Sequence, residues 1–374
     1  LSTDTGLNLF EPGDTPYENA QFLLFLCAVL KAVDDYQELL RICVASAGND
    51  HRLGANEAPP AVISVFLGEE LAGILDAVEN ELDYDAPAQE MLKIGVDVLP
   101  WFPKDATDRN RTSPFAFTGN KFEFRMPGSS ASISEAVIAI NTAVAQVLEV
   151  FAGRLEGAKD FNAALHSLIC HEIRAHKRII FNGNGYDEAW IAEAARRGLS
   201  NLATTPDCLD AMLSRKNIEL YARHHVLNET EFHARYEIMA ENYVKVLRIE
   251  ALTMLEMAKR QFLPSVSAYT RELAETVKLR REALPEDACA YECAQLARLS
   301  ALLSDAHSAV RALEGALDAR HEKKRCAAEM ARYFEKHLLP PMDALRAAVD
   351  AMETVTPGKS WPYPNYGELL FSVK

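Results

Sequence analysis

The spacing of hydrophobic positions changes along the chain. Between Asn19 and Ser46, NAQFLLFLCAVLKAVDDYQELLRICVAS, apolar residues are dense enough to predict an apolar helix. Loops rich in Gly, Pro and Asn follow, carrying two short strand-like runs, AVISVFL and FEFR. From about Arg154 the period becomes helical. Leu209, Leu213, Leu220 and Leu227, then Leu296, Leu299, Leu303, Val310, Leu313 and Leu317, recur at threes, fours and sevens among polar residues. Gly and Pro predict breaks at FNGNGYD, TTPD, LPSV, LPED and HLLPPMD. The stretch from about Glu292 to Glu353 reads as an antiparallel helical hairpin with a solvated, charged outer face. The closing WPYPNYGELLF reads as a strap that docks on the body. The predicted class is α+β: a mixed region over residues 1–153, then an α-helical region over 154–374.

The strand-like run near residue 122 holds the first candidate chemistry. In NRTSPFAFTGNKFEFR, Lys121, Glu123 and Arg125 stand two apart with Phe122 and Phe124 between them. Strand geometry puts the cation, anion and cation on one face and both rings on the other. Taken alone, K-x-E-x-R is usually a salt-bridge ladder. Its neighbours point elsewhere. Arg109 and Arg111 lie just upstream, and a Gly/Asn/Pro-rich loop, GNDHRLGANEAPP, carries Arg52 and Glu57. Arginine binds both oxygens of a carboxylate or phosphate at once, and a carboxylate among arginines suits a divalent metal with bound phosphate.

Composition narrows the partners. The 374 residues are 49% hydrophobic and 25% charged, enough for one large core or two ordinary ones, and the formal net charge is -15. That field repels polyanions, so neither nucleic acid nor an acidic membrane is an expected partner, and an anionic ligand has to be held locally. Seven scattered cysteines without a CxxC fit reduced thiols. With no apolar run of membrane-spanning length and no signal peptide expected, the localisation read from the sequence is cytoplasmic. His171 and His176 in HEIRAH are five apart, roughly 140° round a helix, which is not the HExxH zinc arrangement. His224, His225 and His233 read as ion-pair or cap residues, and GNGY at Gly183 to Tyr186 as a plain loop.

GNDHRLGANEAPPAVISVFLG and DRNRTSPFAFTGNKFEFRMPGSS resemble the two C-terminal signature segments of glutamine synthetase, in the form of the long type III enzymes. LSTDTGLNLFEPG resembles the segment after that family's metal-binding His motif. HKRIIFNGNGYDEAW, AARRGLSNLATTPD and WPYPNYGELLF also resemble type III. The resemblance covers essentially the whole chain. It implies the C-terminal part of a catalytic domain, a β-sheet or half-barrel with helices, followed by the helical region of type III enzymes. The implied reaction is ATP-dependent ligation of ammonia to glutamate through γ-glutamyl phosphate, with Mg²⁺ or Mn²⁺ as cofactor and ATP as cosubstrate. A homo-oligomer, the double-ring dodecamer of the family, is implied as well.

Carried over by position, Glu57 matches the flap glutamate that takes a proton from ammonium, and Arg52 the arginine that holds glutamate. Arg111 matches the arginine that contacts ATP phosphate and the transferring phosphoryl group. Lys121 would face the nucleotide phosphates, Glu123 would be a metal ligand, and Arg125 would stabilise substrate and transferring phosphate. The sequence departs from the bacterial type I pattern in three places. GAN shortens the flap, Lys121 replaces an arginine, and Ala116 stands at the spacing of a second arginine. Because the chain opens on LSTDTG, it is expected to be part of something longer, with the paired metal-binding glutamates and the His ligand upstream of Leu1. Two alternatives stay open: a non-catalytic helical assembly or regulatory protein of the same fold, and a ligase joining glutamate to another amine.

Overall fold

The computed structural model of the chain describes residues 1–374 apart from 56–57, 83, 85–90, 93–101, 104–111, 284, 286–288, 319–325, 365 and 372–374. Helices dominate, with a small mixed sheet. By contacts the chain divides into Leu1–Tyr236 and Glu237–Lys374.

In the first unit the apolar run after Asn19 forms two helices, α1 (Ala20–Asp35) and α2 (Gln37–Ile42). Asn19 caps α1 by accepting from the Phe22 N–H. The expected single helix is interrupted at Tyr36 (φ -118°, ψ 26°), where the Gln37 amide donates to the Asp34 carbonyl. Next come α3 (Ala47–Arg52), β1 (Val65–Phe66), α4 (Glu69–Glu79), β2 (Met91–Leu92), β3 (Phe102–Pro103), β4 (Phe115–Phe117) and β5 (Phe122–Phe124). β1 runs parallel to β4, β4 antiparallel to β5, and β2 pairs antiparallel with β3. Of AVISVFL, Val65–Phe66 alone is strand. The following Leu67 and Gly68 N–H groups bond the Asn182 side chain instead of another strand.

Helices α5 (Ser134–Leu155), α6 (Phe161–His176), α7 (Glu188–Arg196), α8 (Thr205–Met212) and α9 (Arg215–Arg223) complete the first unit, and α10 (Glu229–Met257) begins in it. α1, α5 and α6 form the central layer, where Leu26, Leu30, Ala143, Val147 and Ile173 are buried. Contrary to the sequence expectation, α5 has the length and apolar composition of a bilayer-crossing helix. It packs against α1 and α6 and buries Ala139, Ala143, Val147 and Phe151, while 39% of its apolar window is buried in all. Its Glu149 forms an ion pair with Arg223.

A buried polar cluster ties this layer together. Asp34, with 1% of its side chain exposed, accepts from His176 Nδ1 at 2.7 Å and from Arg178 Nε at 3.0 Å. Lys31 Nζ lies 3.1 Å from His176 Nε2, and Glu172 is bound by Arg154 at 2.8 Å. His176 is therefore a structural histidine. His224 bonds Gln146, and among the described residues no group of three His, Cys, Asp or Glu side chains is placed to hold a metal. All seven cysteines are free, and burial pushes the Cys27, Cys43 and Cys208 thiols well above their ordinary range, keeping them protonated.

In the second unit the break expected at LPSV is a change of helix type. Ala258–Phe262 forms a π-helical turn that leads directly into α11 (Leu263–Ala283). Pro264 lacks an N–H and its ring crowds the preceding turn, and the wider π turn accommodates that mismatch. LPED falls almost wholly outside the described residues. α12 (Ala290–Asp318) packs on α11 and on α14 (Leu339–Glu353), with α13 (Ala327–His337) between α12 and α14 in sequence. The chain bends at Leu338, and Pro340 stands in the first turn of α14, where a missing N–H costs nothing. Leu299, Leu313, Phe334, Leu345 and Met352 fill this core. The terminal strap packs Trp361 and Tyr363 against Phe262, with ring centroids 5.0 and 5.2 Å away. The short α15 (Tyr366–Leu370) follows it.

Candidate functional site

The hairpin of β4 and β5 comes directly from FAFTGNKFEF. Gly119 takes φ 86° as the first of two turn residues, which side chains resist, and the Thr118 N–H donates to the Lys121 carbonyl at 2.8 Å to close the turn. Phe122 lies opposite Phe117 and Phe124 opposite Phe115, with ring centroids 5.2 and 5.8 Å apart. Phe10 adds an edge contact to Phe122 at 5.3 Å. This aromatic face anchors the strand, and alternation turns Glu123 to the opposite side, across from the buried Ala116.

On that side Glu123 and Arg125 form an ion pair. Arg125 donates to Glu123 Oε2 through Nε at 3.2 Å and through a terminal nitrogen at 3.0 Å. The Thr118 hydroxyl donates to Glu123 Oε1 at 3.2 Å. Partial burial works against ionisation of Glu123. The hydrogen bond and charge of Arg125, the Thr118 hydroxyl and the charge of Lys121 outweigh it and hold the carboxyl below its ordinary range. The Glu123 side chain remains 42% exposed, and Lys121 beside it is exposed, so this is an accessible, firmly ionised carboxylate between two cations.

Arg52 reaches the same place from another element. GNDHR, expected as loop, is the helix α3, because the Ser46 hydroxyl caps it by accepting from the Asn49 N–H at 3.2 Å. From its last turn Arg52 donates to the Met126 carbonyl at 3.0 Å and to Asn49 Oδ1 at 3.1 Å, and lies 3.5 Å from the Arg125 carbonyl. The buried Asn49 donates to the Val44 and Met126 carbonyls and so ties α3 to the end of β5. The structure thus brings Arg52, Lys121, Glu123 and Arg125 together. Glu57, Arg109 and Arg111 lie outside the described residues, although the base of the Glu57 loop is closed by the Gly54 N–H donating to the Pro59 carbonyl at 2.9 Å. Sequence reasoning missed Asn49 and Thr118. Two aromatic runs flanking Thr-Gly-Asn are a hairpin signal that would have found Thr118, whereas nothing local marks Asn49 as buried.

The glutamine synthetase C-terminal domain family matches residues 164–281. Over its full length the chain is 40% identical to a glutamine synthetase of Butyrivibrio fibrisolvens. It is 39% identical, over 99% of its length, to the type-3 glutamine synthetase of Dictyostelium discoideum. The chain is similar to glutamine synthetases along its whole length. A Bacteroides fragilis glutamine synthetase is 37% identical, again over the whole chain. These relatives are longer: the chain covers 53%, 51% and 52% of them, about half their length.

Divalent-metal binding is a demand the site can be tested against. Glu123 is ionised and exposed, and it is a hard oxygen donor beside cations able to bind phosphate. Mg²⁺ is typically held by one or two carboxylates together with substrate phosphates and water, so the donor set fits a shared ion and not a closed protein cage.

Proposed function

We propose that this chain supplies part of the active site of an enzyme that ligates ammonia to L-glutamate at the expense of ATP, forming glutamine through γ-glutamyl phosphate. The observation that carries the reading is the Glu123–Arg125 pair on β5 with Arg52 beside it. Similarity to glutamine synthetases supports it. A carboxylate is a poor acyl donor, and phosphorylation gives it a leaving group. In that step Lys121 and Arg111 face the ATP phosphates, Arg125 stabilises the transferring group, and Arg52 holds the glutamate carboxylate. Glu123 would hold Mg²⁺ or Mn²⁺, which would neutralise phosphate charge. Glu57 then takes a proton from ammonium so that neutral ammonia attacks.

The β1-β4-β5 sheet is our candidate for the chain's share of the family's half-barrel. We extend the proposal to ligands outside this 374-residue stretch, to a cytoplasmic homo-oligomer of the double-ring type, and to no activity from the stretch alone. That the chain covers about half the length of its relatives supports the first of these.

The test is phosphate release and glutamine formation from ATP and glutamate with ammonia, compared with polyamines. Ammonia-dependent release is expected. Release with polyamines alone would select a γ-glutamyl-amine ligase, and release with neither would select a non-catalytic protein. Glu57→Ala is expected to slow ammonia capture roughly 100-fold while leaving γ-glutamyl phosphate formation within a few-fold. Equal loss of both steps in rapid-quench assays would make Glu57 a structural residue.

A further inference from the structure

The loop FNGNGYD, read from sequence as a plain connection between helices, is built into the sheet that carries the site. Ile180 forms a parallel bridge with Val65, and the Phe181 N–H donates to the Val65 carbonyl at 2.9 Å, extending the sheet beside β1. Asn182 continues this with its side chain. Its Oδ1 accepts from the Leu67 and Gly68 N–H groups at 3.0 and 3.1 Å, and its Nδ2 donates to the Gly68 carbonyl at 3.1 Å. Gly185 then meets both signature segments. Its N–H donates to Thr112 Oγ1 at 2.8 Å. A Cβ added there would lie 2.6 Å from the Thr112 carbonyl oxygen and 3.2 Å from Pro60 Cδ. The demand for glycine is one of space, since neither Gly183 nor Gly185 has positive φ.

The loop is rigid enough to act as a brace. Phe181 stacks on the buried Trp190 with centroids 3.7 Å apart, and the Arg197 guanidinium lies 5.4 Å from the Trp190 ring while donating to the Ile180 carbonyl at 2.8 Å. A Cβ on Gly183 would strike the Phe181 ring at 2.6 Å. Asn184 Oδ1 accepts from the Tyr186 N–H, and Asp187 caps α7. Thr112 is the residue after Arg111, and Pro60 lies three after Glu57.

We propose that Gly185 is a positioning residue for the ligation reaction: it braces the segments at Thr112 and Pro60 and thereby sets where the neighbouring Arg111 and Glu57 act. This rests on the reading of those two residues given above. In Gly185→Ala the new methyl group meets a backbone oxygen, which cannot rotate away as a flexible side chain would, so residue 112 or the loop has to move. A displacement approaching 1 Å next to a phosphate contact costs roughly 10- to 100-fold in rate.

The test compares wild-type full-length enzyme with Gly185→Ala, Thr112→Val and Thr112→Ser, using Gly153→Ala as a control because a Cβ there meets nothing within 4 Å. Hydrogen exchange over residues 112–117 is expected to quicken in Gly185→Ala and Thr112→Val. kcat is expected to fall roughly 10- to 100-fold in both, with assembly size unchanged. Thr112→Ser, which keeps the hydroxyl, is expected to retain kcat within a few-fold. Wild-type exchange, wild-type kcat in both damaging variants, or a Thr112→Ser as impaired as Thr112→Val would each overturn the proposal. Should Gly185→Ala fail to fold, Thr112→Val decides. If wild-type enzyme makes no glutamine, the functional reading fails, and the exchange measurement still judges the brace by itself.

Discussion

Glu123→Ala in the full-length enzyme is expected to lower glutamine formation by roughly two to three orders of magnitude, the usual cost of removing a charge-stabilising group from a phosphoryl-transfer site. Stability should hardly change. The Glu123 side chain is 42% exposed and its ion pair with Arg125 lies at the surface, where such pairs contribute about 0–1 kcal/mol. The aromatic face of β5, which anchors the strand, is untouched. Glu123→Gln preserves the shape and an oxygen for the Thr118 hydroxyl but removes the charge, so it should be nearly as inactive. If the role were a salt-bridge ladder, the outcome would be reversed: a lowered melting temperature with turnover intact. Assaying both variants at saturating Mg²⁺ together with thermal denaturation separates the two accounts.

Asp34→Ala is expected to produce the largest loss of stability, about 1–3 kcal/mol. Asp34 is almost fully buried, and its removal strands His176 Nδ1 and Arg178 Nε together, leaving a buried donor and a cation without their acceptor. The cluster joins α1 to α6, the layer on which the rest of the first unit is packed, so the loss should appear as a lower denaturation midpoint in urea. Replacing Arg215, whose ion pair with Glu219 is exposed, is the comparison and should leave the midpoint unmoved. A midpoint in Asp34→Ala equal to wild type would mean that water replaces the carboxylate, and the cluster would not be the clamp described above.

The parts of the site legible in the sequence were those with a local cause. Period-2 alternation placed Phe122 and Phe124 against β4 and Glu123 on the other face, because the pleat alone dictates it. The proline- and aromatic-rich strap signalled docking, and Trp361 and Tyr363 pack on Phe262. What stayed hidden depends on partners far along the chain. The clasp of Asn49 on Met126 spans 77 residues, and the bond from Gly185 to Thr112 spans 73. An asparagine in GND and a glycine in GNGY look like ordinary loop residues until those partners are in place. Local competition accounts for other differences. The break of α1 at Tyr36 and the π turn before Pro264 are backbone adjustments within runs whose hydrophobic pattern continues through them. α5 has the length and composition of either a core helix or a membrane helix, and the 39% of its apolar window that is buried includes its packing side toward α1 and α6.

The central claim is that the cation, anion and cation on β5 serve a metal-bridged phosphate, and Mn²⁺ binding tests it most directly. In the full-length enzyme with ATP present, free Mn²⁺ followed by electron paramagnetic resonance gives the affinity of the site. The account predicts that Glu123→Ala weakens Mn²⁺ binding by roughly 10- to 100-fold or more while the protein remains folded. A titration curve superimposable on that of wild type would contradict it.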